Sequence, residues 1–265
     1  MNELVLSLFP GIGLFDRAFE EEGFCIVRGP DLLWGGDIRR FHPPAARFDG
    51  IIGGPPCQAF TTLAPFILAT RGYLADNLIP EFERCVAETK PRWFLMENIR
   101  RAPIPEVPGY FTNSVLYDNR WIGEEQSREH RFSFGTKDNQ GLAPFLEFSV
   151  FLNPQWSPRV VASGGYTPAP LEGGTGASMK QDAVDRPVRR TGGRLPHDRV
   201  PKNMHKLGRK TTTYFKEARR LQGLPDDWDL PGFKVSEKVR ALGNAVPLPL
   251  GRALARAVKR AMGIT

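Results

Sequence analysis

The chain has 265 residues and a net charge of +7, and 41% of its residues are hydrophobic and 25% charged, which excludes a disordered or fibrous chain. No apolar run approaches the roughly 18–20 residues that a membrane helix needs, and the N-terminus lacks the basic region of a secretory signal. We therefore expect a cytoplasmic globular protein with no membrane contact.

The first hundred residues predict an alternation of buried strands and helices. The predicted elements, in chain order, are strand Leu4–Phe9, helix Phe15–Glu22, strand Phe24–Arg28, strand Asp49–Ile52, helix Ile79–Thr89 and strand Trp93–Met96. This order is typical of a mostly parallel, doubly wound sheet, so we predict an α/β fold. Helical spacing returns at Ser236–Leu242 and Leu250–Met262.

The composition changes after about Phe151. Residues 157–210 are rich in Gly, Pro, Arg and Lys and lack apolar periodicity. Of the 36 Lys/Arg and 29 Asp/Glu in the chain, residues 151–213 hold 11 and 4, which leaves 25 of each sign elsewhere. A neutral body with one basic insert predicts a module that binds a polyanion such as nucleic acid, although a solvated, flexible loop would have the same composition.

Cysteine and histidine spacing predicts no metal site. The three cysteines form no CxxC pair, and the four histidines are scattered along the chain. The lack of a disulfide framework predicts reduced thiols, as in the cytoplasm. Cys25 and Cys85 lie in apolar strand or helix patterns, so we expect both to be small buried residues.

A glycine-rich turn follows the first predicted strand. Phe9-Pro10-Gly11-Ile12-Gly13 would let the backbone turn sharply and approach a ligand closely, although a lone GxG is also common in plain turns. Asp31, about twenty residues on, is placed to bind a ribose, and Asp37 is placed to accept a hydrogen bond from an adenine amino group. The third glycine of a dinucleotide motif is replaced by Asp16, which favours a nucleoside without phosphates, such as S-adenosylmethionine.

Two further turns carry groups suited to catalysis. Gly53-Gly54-Pro55-Pro56-Cys57-Gln58 follows the third predicted strand, and nothing around Cys57 resembles a core, so we interpret its thiol as a nucleophile rather than a buried apolar group. Glu97 follows a very apolar strand, where burial would raise its pKa and let it donate a proton; a helix cap or turn is the alternative. Arg128 and Arg131 precede Phe132–Phe134 and could bind a base carbonyl or a phosphate, or form a solvated turn.

Six segments, in this order, resemble the motifs of the DNA cytosine-5 methyltransferases. They are Phe9-Pro10-Gly11-Ile12-Gly13, Pro56-Cys57-Gln58, Glu97-Asn98-Ile99, Gln126-Ser127-Arg128 with Arg131, Arg219-Arg220-Leu221-Gln222-Gly223-Leu224-Pro225 and Gly243-Asn244-Ala245-Val246-Pro247. The resemblance covers nearly all of the chain except about residues 152–212. It implies a Rossmann-like methyltransferase fold with a catalytic and cofactor-binding domain at 1–151, a small target-recognition domain at 152–212 and a returning C-terminal segment at 213–265.

The resemblance also implies a set of site residues. The implied catalytic residues are Cys57, Gln58, Glu97, Arg128 and Arg131. The implied S-adenosylmethionine-binding residues are Phe9, Pro10, Gly11, Ile12, Gly13, Leu14, Asp31, Leu32, Asp37, Ile38, Pro56, Asn244, Ala245 and Val246. The basic candidates for DNA contact are Arg159, Arg186, Arg189, Arg190, Arg194, Arg199, Lys202, Arg209 and Lys210.

The activity implied is methyl transfer to C5 of a cytosine flipped out of double-stranded DNA, as in restriction–modification. Cys57 would attack C6, Glu97 would contact N3 and the amino group, Arg128 would hold O2, and residues from about Ala59 to Asn77 would close as a lid. We expect a monomer without metal. The alternatives are an RNA (tRNA-type) cytosine-5 methyltransferase, a non-catalytic DNA-binding relative, and an enzyme that transfers a modified group from a related sulfonium cofactor.

The sequence departs from the family pattern in four places. Only five residues separate Asp31 from Asp37, so the helix usually found there is missing. The second arginine of the Gln-x-Arg-x-Arg motif stands one place late, at Arg131. Pro10 replaces a small residue, and the basic region is short, which predicts a minimal recognition domain.

Overall fold

The structure is a computed structural model that describes residues 3–61, 64, 68–69, 72, 74–126, 128–144, 159–161, 165–167 and 211–265. The described elements are β1 (Leu4–Leu8), α1 (Leu14–Glu21), β2 (Cys25–Arg28), 3-10 turns at Leu32–Trp34 and Ile38–Arg40, β3 (Gly50–Gly53), α2 (Ile79–Thr89), β4 (Trp93–Asn98), β5 (Phe111–Asp118), a 3-10 turn at Asn119–Ile122, β6 (Glu129–Thr136), β7 (Arg159–Val161), β8 (Gly165–Thr167), α3 (Thr211–Leu221), α4 (Val235–Asn244) and α5 (Leu248–Met262).

A six-stranded sheet in the order β2-β1-β3-β4-β6-β5 organises the fold. The four strands β2, β1, β3 and β4 run parallel, and β6 pairs antiparallel with both β4 and β5. The predicted α/β class with a mostly parallel sheet is therefore confirmed. The β5–β6 hairpin adds an antiparallel edge that the sequence pattern did not predict.

Apolar side chains cover both faces of this sheet. On one face, Phe15 and Phe19 of α1 and Leu250 and Leu254 of α5 belong to the same core cluster as Trp93, and all five are buried. On the other face, the buried face of α2 packs against the residues of β4 that alternate with Trp93. Helices on both faces explain why the strands read as continuous apolar runs rather than alternating ones.

The prediction for Cys25 was wrong. Its thiol is exposed, whereas Cys85 is buried as predicted. Cys25 begins β2, which lies at the edge of the sheet and pairs only with β1 among the described strands. An edge strand can keep an apolar sequence without burying all of it, because one side has no neighbouring strand.

The chain divides into two compact units. One contains Met1–Glu124, Arg128–Phe148 and Ala245–Thr265, and therefore the whole six-stranded sheet. The other contains Glu125–Ser127 and Ser149–Asn244, including the β7–β8 hairpin, α3 and α4. This division differs from the predicted boundaries because residues 213–244 belong to the second unit. Within the described residues, no helix is long and apolar enough to cross a membrane.

Candidate active site

The parallel strands end in one row, which brings three predicted motifs to the same sheet edge. Leu8 at the end of β1 pairs with Gly53 at the end of β3, and Gly53 pairs with Met96 in β4. The next residues along these strands are Phe9, Gly54 and Glu97. The carboxyl edge of a parallel sheet is where ligands bind in open α/β folds.

The glycine-rich turn after β1 needs backbone conformations that glycine favours. Gly11 and Gly13 have φ angles of +56° and +75°, and Phe9 has a φ of +57°. The N–H of Gly13 donates to the carbonyl of Pro10 at 2.8 Å. A β-carbon on Gly11 would meet no atom within 4 Å, so the turn faces open space at the sheet edge.

Two side chains from the turn at Leu32–Trp34 bind Gly11. The Asp31 carboxylate accepts the N–H of Gly11 at 2.8 Å and, with its other oxygen, the N–H of Leu33 at 2.7 Å. The indole N–H of Trp34 donates to the carbonyl of Gly11 at 2.7 Å. This short turn spans the place of the missing helix. Trp34 was not predicted as a site residue, and its aromatic ring in a short glycine-rich stretch between two aspartates was the available signal.

The other predicted cofactor residues fall into two groups. Leu32 is 67% exposed, the newly identified Trp34 is 61% exposed, and the Asp37 carboxylate accepts from the N–H of Arg39 at 3.0 Å. Leu14 and Ile38 are instead buried in the core, so only their backbones can face a ligand. Among the remaining candidates, Ile12 and Pro56 are half-buried, Ala245 is half-buried, Val246 is buried and Asn244 is exposed.

The turn that carries Cys57 is fixed by the end of β4. The side-chain amide of Asn98 donates to the carbonyl of Pro55 at 3.1 Å, and its oxygen accepts the N–H of Ile99 at 2.9 Å. A β-carbon on Gly54 would lie 3.0 Å from Oε2 of Glu97. Glycine at this position therefore lets the Glu97 carboxyl lie directly against the backbone that leads to Cys57.

Cys57, Glu97 and Arg128 interact electrostatically. Burial raises the pKa of Glu97 to about 7, and the positive charge of Arg128 opposes that shift. Burial, and next the negative charge of Glu97, raise the pKa of the Cys57 thiol above its usual value, while Arg128 acts in the opposite direction. A carboxyl that titrates near neutral pH beside a half-buried thiol and a guanidinium is suited to proton transfer.

The strand register places His130, and not Arg131, on the side of Glu97. Glu97 pairs with Phe132, and side chains two residues apart on β6 share a face, so His130 lies on that face. Its Nδ1 is 3.1 Å from Oε1 of Glu97. Arg131 pairs with Asn98 on the opposite face, and its guanidinium donates to the carbonyl of Ala102 at 3.1 Å. A motif read by spacing alone missed His130.

The remaining predicted residues have other surroundings. The side-chain oxygen of Gln58 lies 3.4 Å from the backbone nitrogen of Ala75. The side-chain amide of Gln126 donates to the backbone carbonyl of Leu221 at 2.7 Å. The basic candidates from Arg186 to Lys210 lie outside the described residues, and the segment 59–77 is described only in part. In the described part of the chain, no group of three or more His, Cys, Asp and Glu side chains could hold a metal ion.

Comparison with known proteins identifies the family. Residues 34–103 and 155–260, more than half of the chain, match the family described as C-5 cytosine-specific DNA methylase. Type II methyltransferase M.HgiDI of Herpetosiphon aurantiacus is 26% identical over 96% of this chain and 93% of its own length. Type II methyltransferase M.NgoPII of Neisseria gonorrhoeae is 25% identical over 97% of this chain and 96% of its own length.

Solved structures share the fold. The Entamoeba histolytica methyltransferase EhMeth superposes with a TM-score of 0.56 at 12% identity and covers 99% of both chains. The Dnmt2 methyltransferase of S. pombe superposes with a TM-score of 0.54 at 14% identity, covering 98% of this chain and 99% of its own. These likenesses show the fold, and the family match over more than half of the chain shows that the chain belongs to the C-5 cytosine-specific DNA methylase family.

Proposed function

We propose that this enzyme transfers a methyl group from S-adenosylmethionine to C5 of a flipped cytosine in double-stranded DNA, through a covalent bond between Cys57 and C6. The observation that carries the proposal is the electrostatic coupling of Cys57, Glu97 and Arg128 at the carboxyl edge of the sheet. The family description and the Type II methyltransferases among the relatives support DNA as the substrate.

The residues at the sheet edge fit S-adenosylmethionine. The open space in front of Gly11 leaves room for a ligand beside the backbone, and the exposed side chains of Leu32 and Trp34 offer apolar surface for an adenine ring. Asp31 and Asp37 provide carboxylates for a ribose and an adenine amino group. When bound, this cofactor supplies an electrophilic methyl group on a sulfonium. Asn244, Ala245 and Val246 remain proposed members of the same site.

The covalent step uses the thiol and the carboxyl together. The thiolate of Cys57 adds to C6 of the flipped cytosine while the carboxyl of Glu97 donates a proton to N3. The C5–C6 electron pair becomes available at C5, which would then take the methyl group as the methyl–sulfur bond breaks and its electron pair leaves with sulfur as a neutral thioether. A water removes the proton from C5, the electron pair re-forms the C5–C6 double bond, the bond from C6 to Cys57 breaks, and the N3 proton returns to Glu97.

The electrostatics of the site favour this order of events. At neutral pH, a Glu97 carboxyl with a pKa of about 7 is partly protonated and is therefore available as an acid. Protonation of Glu97 also removes the negative charge that raises the pKa of Cys57, so the acid form of one group eases formation of the thiolate of the other. The positive charge of Arg128 lowers the pKa of Cys57 and so favours the thiolate, and in this proposal Arg128 would also hold the cytosine O2.

Sequence recognition belongs to the basic residues between Arg159 and Lys210 in this proposal. Arginines there would contact phosphates or bond O6 and N7 of guanine. Residues from about Ala59 to Asn77 would close over the flipped base. We expect the enzyme to act as a monomer.

Labelled S-adenosylmethionine separates DNA from RNA as the substrate. The purified protein would be incubated with unmethylated duplex DNA of high sequence complexity and, in parallel, with total RNA, and nucleosides from both would be identified by mass. We expect 5-methyldeoxycytidine in the DNA and no labelled nucleoside in the RNA. Label in RNA alone would establish the RNA methyltransferase instead, and a product mass other than methyl would identify a different transferred group.

Cys57→Ala tests the covalent chemistry in the same assay. We expect the variant to transfer no methyl group and to bind DNA with an affinity near that of the wild type, because the thiol forms a bond only with the flipped base. A matched control is Cys25→Ala, which removes an exposed thiol on the edge strand β2 and should leave methyl transfer unchanged. Transfer by Cys57→Ala at the wild-type rate would rule out the covalent mechanism.

A further inference from the structure

His130 is a buried polar residue that the proposed chemistry does not yet use. Its side chain is only 10% exposed, and Nδ1 lies 3.1 Å from Oε1 of Glu97. Within the described structure, that nitrogen forms no hydrogen bond of good geometry. Burying a polar atom without a hydrogen bond destabilises the folded state. The position of Nδ1 so close to the Glu97 carboxyl therefore suggests a functional role.

Burial favours the neutral form of the His130 imidazole. Burial, and next the positive charge of Arg128, hold the pKa of His130 well below its usual value. Among the residues that the structure describes, the titratable and charged groups that face Glu97 are Cys57 from the turn after β3, Arg128 immediately before β6, and His130 within β6. Arg128 is therefore the one cation in this group.

A neutral imidazole suits a carboxyl that changes its protonation state. With the proton on Nε2, Nδ1 accepts a hydrogen bond from the protonated carboxyl of Glu97. With the proton on Nδ1, the same nitrogen donates to the carboxylate. A guanidinium at this position would donate in both states and would favour the carboxylate, because a nearby positive charge stabilises a negative one.

We propose that His130 is a positioning residue for Glu97, holding its carboxyl in place both before and after the proton moves to the cytosine ring. The inference rests on the proposed function, because it assigns His130 to the proton transfer at N3. The displaced arginine of the motif fits this arrangement. Arg131 lies on the far face of β6, which leaves position 130 open to a neutral side chain.

Three substitutions at His130 test the proposal through the pH dependence of kcat for methyl transfer. His130→Gln keeps a neutral group able to donate and accept, so we expect kcat within about threefold of the wild type. His130→Leu removes the imidazole that we propose bonds the Glu97 carboxyl during the reaction, so we expect kcat to fall at least tenfold, with KM for DNA changed less than threefold. His130→Arg should move the pH limb that belongs to Glu97 to lower pH by about one unit, because a positive charge favours the carboxylate.

The chain offers a matched control in His42 and Glu88. Nδ1 of His42 also lies 3.1 Å from a glutamate oxygen, but this histidine is 69% exposed on the surface. His42→Leu and His42→Arg should therefore leave both kcat and its pH profile unchanged. Equal losses in His130→Gln and His130→Leu, with no movement of the pH limb in His130→Arg, would show a packing role only and overturn the proposal.

A second readout does not depend on methyl transfer. The charge of Glu97 raises the pKa of Cys57, so the pH dependence of Cys57 alkylation, followed by peptide mass spectrometry, reports the ionisation of Glu97. In His130→Arg, the step in this profile that Glu97 ionisation causes should move to lower pH, as the kinetic limb does. An unshifted profile in a folded variant would contradict the role of His130, whereas absence of methyl transfer by the wild type would contradict the proposed function alone.

Discussion

The carboxylate of Asp31 accepts a hydrogen bond of 2.8 Å from the N–H of Gly11, which lies twenty residues earlier in the sequence. The indole N–H of Trp34, in the same turn, donates a hydrogen bond of 2.7 Å to the carbonyl of the same glycine. Both polar backbone groups of Gly11 are thus bonded by side chains from a turn that replaces a longer connection. A glycine whose conformation is fixed in this way pre-organises the turn for a ligand.

Replacing Trp34 with Phe should weaken cofactor binding without affecting DNA binding. The substitution keeps an aromatic ring and removes only the N–H that donates to Gly11. A hydrogen bond contributes about 0.5–1.5 kcal/mol, so we expect Kd for S-adenosylmethionine to rise roughly 3- to 10-fold. Isothermal titration calorimetry would measure the change. An unchanged Kd would show that the Asp31 carboxylate alone suffices to fix Gly11.

Gly54→Ala should impair catalysis more than binding. The new β-carbon would lie 3.0 Å from Oε2 of Glu97, so the carboxyl or the Cys57 turn must shift by a few tenths of an ångström. Small displacements of reacting groups slow the chemical step, so we expect kcat to fall about tenfold or more. Gly141→Ala is the control, since its β-carbon would meet nothing within 4 Å. Equal activity of the two variants would contradict the close contact between Gly54 and Glu97.

Glu97→Gln should change stability in a pH-dependent way. The pKa of Glu97 rises from 4.5 to about 7 in the folded state, so the wild type loses stability as pH increases through this window. The glutamine variant has no such loss. We expect equal stability below pH 4.5 and, above pH 7, a variant more stable by roughly 3 kcal/mol. Urea unfolding at several pH values would measure it, and a difference that is constant with pH would contradict the raised pKa.

The sequence predicted the parts of the fold whose signal is local. The strands that became β1, β3 and β4 are continuous apolar runs that end in turn residues, so both their existence and the placement of Cys57 and Glu97 followed from pattern. The strand Phe111–Asp118 was missed because it is a half-exposed edge strand with the polar run Thr112–Ser114 in its first half.

The spacing of the motif residues also did not predict which face of the sheet each side chain occupies. The motif comparison assigned a catalytic role to Arg131 because it is the next arginine along the chain. In a strand, a shift by one residue moves a side chain to the other face of the sheet, so position 130 faces Glu97 instead. The exposure of Cys25 has a similar origin, because strand position in the sheet, and not local sequence, decides burial at an edge.

Covalent trapping on DNA that contains 5-fluorocytosine tests the central claim most directly. Fluorine at C5 cannot leave as a proton does, so an enzyme that adds a thiol to C6 and methylates C5 stays attached to the base. With S-adenosylmethionine and a long duplex substituted throughout, we predict a denaturant-resistant adduct whose cross-linked peptide contains Cys57, and none with Cys57→Ala. A protein that methylates normal DNA but forms no adduct, or forms one at another residue, would contradict the account.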